Sequence, residues 1–150
     1  MNLKREPLVD IINGTCDGKH HYGWDAKPNP ADAPNTWTLA DCSGLMVYTL
    51  KRAWGINVLG GSVDIHTWCE KKVLKQVKYS VVAPLSDSIV RLCFIEPKGG
   101  EPGHVWLCVN GQSFESHGRD NGKDGPDRRP WNEAVLLHNV SACFELGPLS

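Results

Sequence analysis

Residues 41–55 read DCSGLMVYTLKRAWG, and this stretch decides the fold. Asp41 is a residue type that caps helix starts, Gly55 one that ends helices, and Lys51 and Arg52 fall in the last turn, where positive charge suits the helix dipole. The spacing predicts a helix over 42–54. Its apolar residues Leu45, Met46, Val47, Tyr48, Leu50, Ala53 and Trp54 leave only a narrow polar strip, the pattern of a central helix with neighbours on several sides. Cys42 therefore opens a buried helix, where unpaired backbone amides and the dipole favour a thiolate. Burial as an inert core cysteine is the competing fate of that residue type.

Upstream, Leu8 to Ile12 suit a short helix. Asn13 to Asp41, with Gly14, Gly18, Gly23, Pro28, Pro30 and Pro34, reads as a long loop. Loops beyond ~12–15 residues in compact domains are commonly functional, so a binding wall or lid stands beside a plain surface excursion. Downstream, Ser62 to Lys75 suit a second, more exposed helix with Ser62 as a cap, and Lys71, Lys72, Lys75 and Lys78 read as its solvated face. After Pro84 the period changes to that of strands: Ile89–Ile95, Gly103–Val109, Gln112–His117 and Val135–Phe144. Asn110-Gly111 between two of these is a type I′ hairpin signal. A loop is expected over Gly118–Pro130. No repeat or linker divides the chain, so one domain over 1–150 of class α+β is expected, helices first and an antiparallel sheet after.

The chain has 150 residues, 41% hydrophobic and 22% charged, with 16 basic against 17 acidic side chains. That balance creates no field to attract nucleic acid or an anionic membrane, and neither partner is expected. No apolar run nears the ~20 residues that span a bilayer. The first ten residues carry Lys4, Arg5, Glu6 and Asp10 where a secretory signal needs an apolar core, so synthesis in the cytoplasm without a signal peptide is expected. Six cysteines show no C-x-x-C pair. They are read as reduced thiols, with no metal site and no cofactor.

A nucleophilic cysteine needs a base, and six histidines are available. The two-residue turn sets the hairpin register, placing His104 opposite His117 and Trp106 opposite Glu115, with all four side chains on one face. His117 as cross-strand neighbour and Glu115 as diagonal one are both able to orient the His104 ring through its second nitrogen.

Asp41-Cys42-Ser43-Gly44-Leu45, then Gly103-His104-Val105, then Phe114-Glu115-Ser116-His117-Gly118 together resemble the NlpC/p60 cysteine peptidases. Upstream, Tyr22-Gly23-Trp24 looks like that family's Tyr-x-Trp segment, and the likeness covers about residues 20 to 120. Two departures stand out: Ser86-Asp87 replaces the usual Gly-Asp pair, and the Asn110-Gly111 hairpin is a residue shorter than common members.

The resemblance implies a pared-down papain fold, with Cys42 as nucleophile, His104 as base and Glu115 as the motif's third residue; hairpin register keeps His117 in contention. It implies that Tyr22, Trp24, Asp41 and Ser43 line the site, with Asp41 and Ser43 near a subsite for a substrate amino group. It further implies hydrolysis of peptidoglycan stem peptides, in the manner of a phage lysin, a tail-associated lysin or an antibacterial effector. The enzyme would then act on the cell wall after release or delivery, with any delivery or immunity protein unidentified. An amidase or acyltransferase on the same site, or an inactive cell-wall-binding relative, are the rival implications. Among the remaining aromatics, Trp24 and Trp37 in the long loop are candidates for ligand contact. His20-His21 reads as surface.

Overall fold

A computed structural model describes all 150 residues. In chain order its elements are helix α1 (Arg5–Thr15), strand β1 (His21–Tyr22), a 3-10 turn (Pro34–Thr36), β2 (Leu39–Ala40), α2 (Cys42–Trp54), α3 (Ser62–Lys71) and α4 (Tyr79–Val82). Then follow β3 (Ile89–Ile95), β4 (His104–Val109), β5 (Gln112–Asp120), β6 (Lys123–Asp127), α5 (Ala134–Leu137) and β7 (Ala142–Pro148). The class is α+β.

Helix α2 forms where the sequence predicts it. The Asp41 carboxylate accepts from the Gly44 N–H at 2.6 Å, filling the N-cap role. At the other end Gly55 adopts φ 68° and its N–H returns to the Leu50 and Lys51 carbonyls. Leu45, Met46, Tyr48 and Leu50 are fully buried, and they join Leu92, Phe94, Val105, Leu107 and Phe114 of the sheet in one core.

The sheet has five strands in the order β6-β5-β4-β3-β7, with antiparallel neighbours throughout. Its other face carries a second core of Cys93, Trp106, Cys108, Cys143, Tyr79 and Leu136. Cover on both faces explains why β3 and β4 are apolar nearly throughout instead of alternating. The β4–β5 hairpin has the expected turn, Asn110 at φ 52° and Gly111 at φ 75°. Its register holds next to the turn, with Leu107 opposite Phe114 and Val109 opposite Gln112, but the ladder ends there and pairs neither Trp106 with Glu115 nor His104 with His117.

Several boundaries differ from the sequence expectations. Helix α1 runs over Arg5–Thr15, through Asn13 and Gly14, because Leu8, Ile11 and Thr15 recur on one buried face. The stretch to Asp41 is correspondingly shorter and is tied down by β1 pairing with β2. Helix α3 stops at Lys71, and Gly61 is its cap, with the Asp64 carboxylate accepting the Gly61 N–H at 2.8 Å; Ser62 is not the cap. Lys72, Lys75 and Lys78 are exposed as expected but lie beyond the helix. There residues 75–77 follow β7, with Val77 N–H on the Cys143 carbonyl and Glu145 N–H on the Lys75 carbonyl, so they cover that sheet edge.

The expected strand Val135–Phe144 is two elements, the short helix α5, which buries Leu136, and then β7. The expected loop Gly118–Pro130 contains β6, joined to an extended β5 through Asn121 and Gly122, both at positive φ. That Asn-Gly pair carries the same hairpin signal as Asn110-Gly111. Pro126 is tolerated because β6 is an edge strand.

Candidate active site

Cys42 is the first residue of α2 and His104 the first of β4, so each chemistry-bearing side chain sits at the end of a rigid element. Gly44 lets the chain upstream close over the helix start: a Cβ there would lie 2.3 Å from the Ala26 carbonyl oxygen. Cys42 is 8% exposed and lines an open cleft of about 1100 Å³ with Tyr22, Trp24, Gly103, His104 and His117. A second groove, of about 1200 Å³ between α1 and α2, is lined by Lys4, Asp10, Asn29 and Arg52 among others and offers no cysteine or histidine.

The His104 ring stacks on Trp106, centroids 5.5 Å apart, and its Nε2 is 2.9 Å from Glu115 Oε1. Nε2 therefore donates to the carboxylate, and Nδ1 is the nitrogen left to address the thiol. Burial works against a charge on this ring, but the Cys42 side chain and the Glu115 carboxylate outweigh it and lift the His104 pKa to about 9. Glu115 is 0% exposed. Burial alone would raise its pKa, yet hydrogen bonds from His104 and Arg129 hold it down at about 2. Three other thiols are the opposite case. Burial pushes Cys16 up to about 11 and both Cys69 and Cys108 to about 12, so they stay protonated.

Of the two candidates for orienting the imidazole, the structure brings Glu115 to His104. The His117 ring is turned elsewhere, Nδ1 to the Gly118 carbonyl at 2.6 Å and Nε2 to Asp127 at 3.0 Å. The ladder explains this: beyond Phe114, strand β5 pairs with β6, and His117 lies across from Gly125.

Tyr22 lies beside the thiol, and burial, reinforced by the charges of Cys42 and Asp41, pushes its phenol up to about 12. Trp24 is 76% exposed on the cleft wall. Trp37 instead packs edge-on against His20 and Tyr48. His20 is buried, with its ring on Asp17 and the Pro34 carbonyl, contrary to the surface expectation; His21 is exposed.

Asp41 and Ser43 flank Cys42 and are both buried, and the chain's own Lys27 occupies them. Its ammonium bonds the Asp41 carboxylate and lies 2.8 Å from Ser43 Oγ, with the side chain 39% exposed. Sequence reasoning missed Lys27 and Arg129. Neither sits in a motif, and each reaches the site from a segment whose path the sequence leaves open.

No sequence-family model matches the chain, and no curated protein is similar to it in sequence. The likeness lies in the backbone. A crystal structure of an NlpC/P60 family protein from Bacillus cereus ATCC 10987 matches 94% of this chain with a TM-score of 0.59 and 19% identity. The chain spans 40% of that protein's length. It has the α+β fold of an NlpC/P60 family protein, with Cys42 and His104 lining its cleft and the buried Glu115 hydrogen-bonded behind His104.

Proposed function

We propose that the protein is a cysteine-type amide hydrolase acting on the stem peptides of peptidoglycan, with Cys42 as nucleophile, His104 as base and Glu115 as the residue that orients the base. The single observation that carries this reading is a helix-start cysteine sharing a cleft with an imidazole that a fully buried carboxylate holds at 2.9 Å. His104 Nδ1 takes the Cys42 thiol proton. The thiolate attacks the amide carbonyl carbon, and the negative oxygen of the tetrahedral intermediate is received by the Cys42 backbone N–H at the free start of α2. Imidazolium Nδ1 returns its proton to the leaving amine as the C–N bond breaks. Water, deprotonated by His104, attacks the acyl carbon, and the C–S bond breaks to leave the Cys42 thiolate beside the protonated His104, ready for the next cycle.

The substrate class is supported by the fold likeness together with the motif resemblance around Cys42, His104 and Glu115. A lysin or delivered-effector role is the finer form of the same proposal. The test is incubation with purified sacculi, followed by mass spectrometry of the soluble fragments. New amino termini within stem peptides are expected from the wild type and none from Cys42→Ala. Identical fragments from both would overturn the assignment of the nucleophile, and no fragments from either would overturn the substrate class.

A further inference from the structure

Glu115 has a second partner that the proposed triad does not account for. Arg129 reaches it from the segment after β6, with Nη2 2.8 Å from Oε1 and Nε 3.3 Å from Oε2, while Nη1 extends 2.8 Å to Asp120. The arginine is itself fixed. Its N–H donates to Ser113 Oγ at 3.1 Å, its carbonyl accepts the Ser113 N–H at 2.8 Å, and its side chain is only 10% exposed. A row of alternating charge thus runs from Asp120 through Arg129 and Glu115 to His104. We infer that Arg129 is a positioning residue, which holds the Glu115 carboxylate charged and correctly aimed at His104 throughout the reaction, including the part in which the imidazole is neutral.

The need for such a residue follows from burial. While His104 is an imidazolium, it shares the compensation of Glu115 with Arg129. Once His104 has given its proton to the leaving amine, an unaccompanied buried carboxylate is costly and tends to take up a proton itself. A protonated Glu115 would donate to the ring instead of accepting from it, so the ring would turn its other tautomer to the thiol and fail as the base for deacylation. The groups facing Glu115 are few. His104 comes from β4, Arg129 from the strap after β6, and Ser113 from β5 itself. Asp127 lies across the ladder, but its carboxylate bonds His117 and the Arg128 N–H. Arg129 is therefore the permanent cation among them.

This inference rests on the proposed cysteine-hydrolase reading, and two readouts separate their failures. The first is the pH profile of sacculus hydrolysis. The second is the pH profile of Cys42 alkylation by iodoacetamide, which needs no substrate. In Arg129→Met the acid limb of both profiles is expected to move to higher pH as Glu115 begins to titrate, and hydrolysis is expected to fall roughly tenfold to hundredfold, the size of loss known for outer hydrogen-bond partners at metal sites. In a Glu115→Gln background the same Arg129→Met change is expected to cost little more, because the charge it serves is gone. Arg129→Lys keeps a cation without the fork and is expected to lose activity by a smaller factor. It decides the matter should the methionine variant not fold.

Unmoved acid limbs in a folded Arg129→Met, an equal loss in both backgrounds, or a lysine variant as active as wild type would each overturn the positioning role. Alkylation that responds to Arg129 in a protein that never cuts sacculi would uphold the role and remove the peptidoglycan reading.

Discussion

At the scale of single residues, the candidate site turns on which side chain holds the His104 ring, and the hydrogen bond to Glu115 makes the consequence measurable. Burial opposes the charge, but the Cys42 side chain and the partner carboxylate lift His104 to about 9, so its imidazolium form is expected to persist to that pH. In Glu115→Gln the alkaline limb of activity should move to lower pH and the rate fall roughly tenfold or more. His117→Asn, which leaves the His104 contact intact, should be milder; the reverse order of severity would exclude Glu115 as the orienter. Lys27 gives a second test. A substrate ammonium drawn to Asp41 and Ser43 would have to displace an ammonium already there. Lys27→Met should therefore lower KM for a stem peptide with a free amino terminus relative to its acetylated form, and an unchanged ratio would remove Asp41 and Ser43 from substrate recognition. The family motif made Cys42, His104 and Glu115 legible in the sequence. Hairpin register placed His104, Glu115 and His117 on one face, but alone could not tell Glu115 from His117. That choice depends on where β6 runs, because β6 supplies Asp127 to His117 and leads the chain back to Glu115.

Among the elements, α2 carries the greatest constraint, since its start must hold the nucleophile, the cap and the close approach of the upstream chain together. Gly44→Ala puts a methyl group against the Ala26 carbonyl, a backbone atom unable to swing aside. A destabilisation of about 1–3 kcal/mol is expected, with loss of Cys42 reactivity, read by urea unfolding and alkylation rate. Wild-type stability would mean that the 24–27 segment yields easily. Helix α2, β3 and the β4–β5 turn were legible because capping, periodicity and turn chemistry agree there. Elsewhere tertiary packing settled the structure. The run Ala134-Val135-Leu136-Leu137 reads as one apolar stretch with the strand that follows, yet it turns as a helix to lay Leu136 beside Tyr79 and Trp106. Strand β6, rich in Asp, Gly and Pro, has no strand propensity and exists because β5 offers it an edge, as the overlooked Asn121-Gly122 turn could have indicated.

For the whole molecule, the two cores on opposite faces of one sheet make the site inseparable from the fold. His104 stacks on Trp106, which belongs to the second core, while α2 belongs to the first. Titration of the site is therefore expected to appear in global stability, with a sign that follows from the shifts. Glu115 is held at about 2, below its ordinary 4.5, so its contribution is complete above the ordinary value and is lost as pH falls through the folded one. His104 is raised from 6.5 to about 9, so its contribution is complete below 6.5 and is lost as pH rises through about 9. Above that, the half-buried Cys16 and the buried Cys69 and Cys108 add a further loss, since unfolding lets them ionise. Urea midpoints should form a plateau between about pH 4.5 and 6.5 and decline on both sides. Glu115→Gln separates the causes: it should flatten the decline between 6.5 and 9, which belongs to His104 paired with a carboxylate, and leave the thiol-driven fall above 9 in place. A decline between 6.5 and 9 as steep in Glu115→Gln as in the wild type would show that the His104–Glu115 pair does not carry it, and the geometry that orients the proposed base would lose its thermodynamic support.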